Sequence, residues 1–253
     1  MTTRTTTWLK CATPRPEAGH RLICFPHAGG SASFFHPWAA GLPSYEVHAV
    51  CYPGRAARFG EPLPTELPAL AADIAEAVRP LLDGRPVALL GHSMGAVVAY
   101  ETARLLEADG HRVGHLFASG ARAPQIPHPE GPRAADLDDD TVADALVALG
   151  GTDAELLADP EVRELILPYV CGDYRMFDSY VHRPGPALRC DVTAIAGDGD
   201  PQVAPAQAAA WAAVTRGRFT HHTVPGDHFY LTPHPPYLLV EAALSQGAVQ
   251  RVG

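Results

Sequence analysis

Short apolar runs recur along the chain and alternate with stretches whose apolar residues follow a helical period. The runs contain few polar positions, as expected for strands that are covered on both faces. They occupy residues 21–25, 45–51, 86–90, 115–119, 191–196 and 219–224. The helical period marks residues 67–82, 95–108, 205–214 and 236–244. This alternation predicts an α/β fold with a mostly parallel central sheet and right-handed crossovers.

One long segment, residues 124–187, interrupts the alternation because it contains no convincing strand. The acids between Asp136 and Asp140 are typical of a helix start. Residues 142–149 and 154–180 then follow a helical pattern, which we expect to break at Pro160 and Pro168. We interpret residues 124–187 as a helical lid inserted into a core formed by residues 1–123 and 188–253. Ordinary crossover helices are the alternative. The first dozen residues are predicted to be a tail.

Composition narrows the class of protein. The chain has 253 residues, 47% of them hydrophobic, which is enough for one large α/β domain with a core or for two small domains. The 28 acids and 19 bases give a formal net charge of −9, which disfavours a nucleic-acid partner. Five scattered cysteines without a CxxC pair disfavour disulfides and zinc. No apolar run is long enough for a signal peptide or a membrane span. We therefore expect a soluble, cytoplasmic protein with no membrane partner.

The strongest chemical signal is a glycine–serine motif at residues 91–95, which reads GHSMG. It follows a predicted strand and opens a predicted helix, as a nucleophile elbow requires. The serine of such a turn has a strained backbone, and side chains two positions away on either side would collide with neighbouring backbone. We therefore predict that Ser93 is a nucleophile. The alternative is a glycine-rich turn with a buried serine.

A serine hydroxyl needs a base, and this architecture runs serine, acid, histidine along the chain. Of the thirteen histidines, His228 has the right position, in the loop after the last predicted strand. We expect His92 to point elsewhere along its turn, and His221 and His222 to be structural or to face solvent.

The orienting acid should follow the fifth predicted strand, where residues 197–201 read GDGDP. Asp200 lies at the far end of this turn and is the preferred candidate. Asp198 is the fallback, although we expect it to bond its own turn. Asp227, beside the base, is interpreted as a loop residue.

An oxyanion hole needs preorganised N–H donors. One should be the amide of Met94, directly after the nucleophile, and the other should come from the loop after the first major strand. In that loop we choose Ala28, with His27 next, because Gly29 and Gly30 permit the backbone to turn an amide inward. An ordinary Gly-Gly turn is the alternative. No phosphate-binding loop, dinucleotide fingerprint or metal-ligand spacing is found, so we expect no cofactor and no metal.

Four motifs together carry a family resemblance: FPHAGG at residues 25–30, YPGR at 52–55, GHSMG at 91–95 and GDHF at 226–229. Over residues 22–231 the sequence resembles the type II thioesterases, stand-alone α/β-hydrolases that accompany modular polyketide and nonribosomal peptide synthases. The resemblance implies an α/β-hydrolase fold with a helical lid. It also implies hydrolysis of acyl groups from the phosphopantetheine arm of a carrier protein, through an acyl-serine intermediate.

The family's catalytic residues fall on Ser93, Asp200 and His228, its oxyanion donors fall on Ala28 and Met94, and it needs no cofactor. One departure is visible: the family's Arg-Ala-Asp in the late lid helix is replaced here by Cys171-Gly172-Asp173. That change affects expectations about substrate preference rather than about the hydrolytic centre.

Carrier proteins tend to be acidic. This chain, with its formal net charge of −9, should therefore repel them at long range. Docking would then need a local patch, for which Arg55 and Arg58 are candidates, although either could equally be a solvated loop arginine. A chain-releasing thioesterase or a small-molecule carboxylesterase would use the same triad. A non-catalytic binding module is a third interpretation. The default oligomeric state is a monomer, and the acyl length and the cognate synthase stay open.

Overall fold

A seven-stranded sheet organises the part of the chain that the computed structural model describes, residues 7–127, 138–148 and 159–249. The strand order is β1-β3-β2-β4-β5-β6-β7, and every pairing is parallel except that of β1 with β3. The strands are β1 (Leu9–Lys10), β2 (His20–Phe25), β3 (Tyr45–Val50), β4 (Val87–His92), β5 (His115–Ser119), β6 (Asp191–Gly197) and β7 (Phe219–Val224). The predicted α/β architecture is confirmed.

Helices cover both faces of the sheet. They are α1 (His36–Gly41), α2 (Leu67–Val78), α3 (Met94–Ala108), α4 (Asp139–Ala148), α5 (Pro160–Ser179), α6 (Pro205–Ala209) and α7 (Tyr237–Val249). One apolar cluster joins α2 and α3 to the sheet through residues such as Ile74 and Val98. A second cluster lies under α1 and α7, around Trp38 and Val240. This two-sided burial explains why the strands are apolar runs and do not alternate.

The first dozen residues were expected to be a tail. This expectation is wrong for the residues from 7 onward, which the structure describes. Leu9 and Lys10 form the antiparallel edge strand and pair with Val50 and Ala49. The Cys51 amide also donates to the Trp8 carbonyl at 2.8 Å. Trp8 is buried, so this short strand is fixed by apolar packing as well as by backbone pairing.

Helix α5 runs through Pro168, where the sequence predicted a break. An internal proline removes one backbone hydrogen bond, which costs about 3 kcal/mol in an isolated helix. Here the flanking residues Leu167 and Val170 are buried against α4, and this packing offsets the loss. Pro160, by contrast, occupies the first helical turn, where the Asp159 carboxylate caps the Glu161 amide at 2.9 Å.

Helices α4 and α5 form their own small apolar cluster, which includes Val142, Leu167 and Val170. The end of α5 joins the main core instead, through Met176 and through Tyr180, which directly follows the helix. The boundaries of the predicted lid, residues 124–187, stay a prediction. The expected helix start at Asp136 and the helical pattern at residues 149 and 154–158 lie outside the described residues. Among the described residues, the helices are too short or too polar to cross a membrane.

Candidate active site

Ser93 lies in the sharp turn between β4 and α3, with φ 55° and ψ −123°. A Cβ on Gly91 would overlap the carbonyl oxygen of Gly95, and a Cβ on Gly95 would overlap the carbonyl oxygen of Phe25. Both glycines are therefore required by close backbone approach, as the sequence motif predicted. The Ser93 amide donates to the Ser119 carbonyl at 2.8 Å, which ties the turn to the end of β5. The strained conformation leaves Ser93 half-buried at the carboxyl edge of the sheet.

The loops after β6 and β7 are held side by side by three hydrogen bonds. The Asp198 amide donates to Val224 at 2.8 Å and the Gly199 amide donates to Gly226 at 2.9 Å. The Asp198 carboxylate accepts from the Gly226 amide at 2.9 Å. The expectation that Asp198 bonds its own turn is thus wrong, because it bridges to the neighbouring loop. This pairing brings the two loops that carry Asp200 and His228 together.

The structure joins Asp200 to His228. His228 Nδ1 lies 2.9 Å from Asp200 Oδ2, and both side chains are almost completely inaccessible. The other Asp200 oxygen accepts from the Gln202 amide at 2.8 Å, which fixes the carboxylate. Because Nδ1 is engaged, Nε2 is the nitrogen left for proton transfer. Asp227 accepts from the Phe229 amide at 2.8 Å and is a loop residue, as expected.

Ser93 and His228, which belong to different loops, both lie against the end of β5. A Cβ on Gly120 would lie 3.5 Å from His228 Cε1. Gly120 directly follows Ser119, whose carbonyl accepts from the Ser93 amide. The hydroxyl-bearing turn and the imidazole are therefore neighbours at one edge of the sheet.

The loop after β2, residues 26–31, lies against the first turn of α3. A Cβ on Gly95 would also overlap the Pro26 carbonyl oxygen, so the loop and the nucleophile turn are in close contact. Within the loop, the Gly30 amide donates to His27 at 2.9 Å, and Gly29 has φ 78°. Among the described residues, the Ala28 and Met94 amides donate to no protein group. Neither N–H group is therefore committed to a protein acceptor in this part of the chain.

Two further histidines form a row with His228, a feature that the sequence did not predict. The ring centroid of His92 lies 5.1 Å from that of His228 and 6.0 Å from that of His27. Burial and then the charge of His228 lower the pKa of His27 to about 3 and hold the pKa of His92 well below its ordinary value. His92 Nδ1 bonds the Ser119 hydroxyl at 3.0 Å, so its ring is turned toward β5. These two histidines are neutral around neutral pH.

The two arginines proposed as a docking patch are buried, so that expectation is wrong. Arg55 is 1% exposed and forms a bidentate ion pair with Asp173, at 2.5 and 2.6 Å. Arg58 pairs with Glu61, and its guanidinium lies 3.7 Å above the Trp8 ring. Both charges are neutralised within the fold and cannot recruit a partner.

A cavity of about 490 Å³ lies beside the first turn of α3. Its wall includes Val97, one helical turn after Ser93, together with Ala123 and Ile126 from the loop after β5. Phe177 of α5 and Tyr180, which directly follows this helix, close the other side. The lining is mixed, because Arg122, Asp178 and His182 also face the cavity, and its apolar part has the character that suits an acyl chain.

One group among the described residues has metal-ligand chemistry: donor atoms of Cys11, Glu46 and His48 lie within 4.8 Å of one another. The Glu46 carboxylate is already bound by Arg21 Nε at 3.0 Å and by the Arg15 amide at 3.1 Å. Burial and the charge of Glu46 raise the pKa of the Cys11 thiol, which disfavours the thiolate that binds metals. We assign no metal to this group, and the absence of a cofactor stays a prediction.

The sequence is similar to those of known thioesterases. The family model described as "Thioesterase domain" matches residues 20–241. A probable cadicidin biosynthesis thioesterase of Streptomyces griseus is 41% identical over 228 residues, which are 90% of this chain and 62% of that protein. Thioesterase PikA5 of Streptomyces venezuelae is 40% identical over 226 residues, which are 88% of this chain and 80% of that protein. The chain therefore spans less than two thirds of the length of the first of these relatives.

Among solved structures, the type II thioesterase BorB from the borrelidin biosynthetic cluster superposes with a TM-score of 0.84 and 42% identity. The superposition covers 93% of this chain and 96% of that one.

Proposed function

The chain belongs to the thioesterase family, a family of serine hydrolases acting on thioesters, and on that premise we propose that Ser93, Asp200 and His228 form its catalytic triad. The observation that carries the proposal is the buried 2.9 Å bond between Asp200 and His228, located beside the strained Ser93 turn. We further propose that the substrate is an acyl group on the phosphopantetheine arm of a carrier protein in a polyketide or nonribosomal peptide synthase.

Acylation begins when His228 Nε2 takes the Ser93 proton. The hydroxyl oxygen attacks the thioester carbonyl, and the negative charge that develops on the carbonyl oxygen is bound by the Ala28 and Met94 amides. The carbon–sulfur bond then breaks, and the thiol leaves with the proton from His228. Asp200 holds the Nδ1–H tautomer and stabilises the imidazolium without taking its proton.

Deacylation repeats these roles with water as the nucleophile. His228 Nε2 takes a proton from water, and the resulting oxygen attacks the acyl-Ser93 carbonyl. Ser93 then leaves with the proton, and the free acid is released. Because a thiolate is a good leaving group, oxyanion stabilisation is the demanding part, and one donor is typically worth about 3 kcal/mol.

The biosynthetic setting rests on the named relatives and on the shape of the site. A type II thioesterase from a biosynthetic cluster matches nearly the whole chain. The apolar part of the cavity, beside Val97 and Phe177, would take the acyl chain, and a long thin arm would reach Ser93 along the cavity rim. We also propose that the protein is a cytoplasmic monomer that works beside its synthase and edits misprimed or stalled carriers.

Intact-mass spectrometry of acyl-loaded carrier protein tests the proposal. The wild type should convert acyl-carrier into free carrier, and the Ser93→Ala variant should leave it unchanged. A mass increase of one acyl group on the wild-type enzyme, absent from the variant, would identify the intermediate. Equal or faster hydrolysis of an oxygen ester with the same acyl chain would favour a carboxylesterase. Binding of the acyl-carrier without turnover would favour a binding module.

A further inference from the structure

A buried ion pair connects helix α5 to the turn that follows β3. Arg55 and Asp173 are 118 positions apart, each is 1% exposed, and they share two hydrogen bonds. The Arg55 guanidinium lies 4.7 Å from the ring centroid of Tyr169 and 5.4 Å from that of Tyr52. Burial disfavours the charged guanidinium, but the Asp173 carboxylate more than compensates, so the pKa of Arg55 is raised.

The same pair holds the backbone of the loop after β2. Asp173 Oδ2 accepts from the Gly29 amide at 2.8 Å, and Arg55 donates to the Gly30 carbonyl at 3.2 Å. Tyr52 Oη donates to the Pro26 carbonyl at 3.1 Å. Contacts to Pro26 on one side and to Gly29 and Gly30 on the other thus bracket the proposed oxyanion donor, Ala28.

Helix α5 also fixes the position of this loop sterically. A Cβ on Gly29 would lie 2.8 Å from Val170 Cγ2, so the loop backbone packs directly on the helix. Val170 and Asp173 lie three positions apart and therefore share one face of α5. The loop is consequently pressed against this face and hydrogen-bonded to it at the same place.

We propose that Asp173 is a positioning residue for hydrolysis: by accepting the Gly29 amide it orients the adjacent peptide so that the Ala28 N–H points toward the reacting carbonyl. This inference rests on the proposed function, in which Ala28 is an oxyanion donor. A second consequence concerns charge. A lone carboxylate at this place would oppose the developing oxyanion, and Arg55 neutralises it while also holding Gly30.

Two double variants isolate the contact to Gly29. Arg55→Met with Asp173→Asn removes both charges and keeps a carbonyl oxygen for the Gly29 amide. Arg55→Met with Asp173→Leu removes the same charges and has no acceptor. Replacing both partners of a buried ion pair with uncharged groups is often tolerated, whereas removing one partner is not, so both variants should fold.

The readout is kcat on a short acyl-N-acetylcysteamine thioester, per active site counted with a fluorophosphonate. We expect the Leu variant to have a kcat about tenfold to a hundredfold below that of the Asn variant, with a similar KM, because a misplaced donor weakens only the transition state. Affinity for an alkyl boronic acid, which forms a tetrahedral adduct, should fall by the same factor. Affinity for a thioether analogue, which develops no charge, should be unchanged.

Glu46→Gln is the matched control, because it breaks the buried pair of Arg21 and Glu46 at 3.0 Å, outside the oxyanion loop. It should lower the melting temperature and leave kcat unchanged. Equal kcat and equal boronate affinity in the two double variants would overturn the inference while leaving the proposed function intact. Failure of the wild type to hydrolyse any thioester would instead overturn the proposed function.

Discussion

Asp198 and Asp200 belong to one turn, yet their carboxylates have different surroundings. The Asp200 side chain is inaccessible and bonds His228 Nδ1, whereas Asp198 is exposed and bonds a backbone amide of the next loop. Sequence position alone left both as candidates for the orienting acid. The geometry favours Asp200, because only its oxygen lies within 3.5 Å of the imidazole among the described bonds.

Substituting each aspartate with asparagine separates these roles. Asp200→Asn should lower kcat by roughly a thousandfold or more, because an amide stabilises the wrong imidazole tautomer and cannot support the imidazolium. Asp198→Asn keeps an acceptor for the Gly226 amide and should retain kcat within about threefold, since only a surface hydrogen bond changes. Steady-state hydrolysis of one thioester measures both. A larger loss in Asp198→Asn than in Asp200→Asn would reverse the assignment.

His27 makes stability depend on pH. In the folded protein its pKa is lowered to about 3, chiefly by burial. In the unfolded chain its pKa has the ordinary value of 6.5. Between these values the unfolded state binds the extra proton, so the free energy of unfolding falls as the pH drops from 6.5 toward 3. The loss is about 1.4 kcal/mol per pH unit for each such histidine.

The His27→Asn variant tests this dependence. Urea unfolding between pH 4.5 and 7.5 should give a shallower pH dependence for the variant, with a slope smaller by about 1.4 kcal/mol per pH unit below pH 6. The substitution itself also changes the free energy of unfolding, but this change is the same at every pH and does not affect the slopes that are compared. Parallel curves for the two proteins would show that His27 takes up its proton in the folded state as readily as in the unfolded chain.

At the scale of elements, the site depends on the close contact between the start of α3 and the end of β2. Gly95 allows this contact, because a Cβ there would overlap the carbonyl oxygens of Phe25 and Pro26. Gly95→Ala should therefore cost about 2–4 kcal/mol of stability and displace the Met94 amide from the Ala28 loop. Chemical denaturation and kcat on the same preparation measure the two effects.

Gly110→Ala is the control for that prediction. The backbone at Gly110 has φ 84°, a conformation that favours glycine, but a Cβ there would meet nothing within 4 Å. Its substitution should cost only about 1–2 kcal/mol, from left-handed backbone strain, and leave kcat unchanged. If Gly95→Ala were as stable and as active as Gly110→Ala, close packing of α3 on β2 would not be what positions the site.

The sequence predicted those elements and site features that are specified by local pattern. The six parallel strands follow from apolar runs, and the turn at Ser93 follows from two glycines at fixed spacing. Contacts between distant segments were not predictable in this way. The sequence leaves Arg55 as either a docking candidate or a solvated loop arginine, because nothing near it in the chain reveals Asp173, which is 118 positions away.

Elements whose stability comes from tertiary packing were also missed. The two-residue strand β1 has no periodic signal, and its burial depends on Trp8 packing beneath Arg58. Helix α1 spans only six residues and is held by Trp38 in the core. Pro168 suggested a break that the packing of α4 and α5 overrides. In each of these cases the decisive partners lie on another segment of the chain.

At the scale of the whole molecule, charge should control the encounter with an acidic carrier. The formal net charge of −9 repels such a partner, and the docking candidates Arg55 and Arg58 are buried in ion pairs. Salt shortens the range of this repulsion, from about 30 Å at 0.01 M to about 8 Å at 0.15 M. We therefore expect kcat/KM for acyl-carrier to rise several-fold over this range of ionic strength.

A neutral acyl-N-acetylcysteamine thioester is the control, because its kcat/KM should not change with salt. Stopped-flow or discontinuous assays of both substrates, at fixed pH and with the same acyl chain, separate the effect of salt on association with the carrier from its effect on the chemical steps. A decrease in kcat/KM for acyl-carrier would mean that a local basic surface outweighs the net charge. The groove of about 560 Å³ that includes Arg183 and Arg216 would then be the first place to substitute, since neither residue has an acidic partner among the described ion pairs.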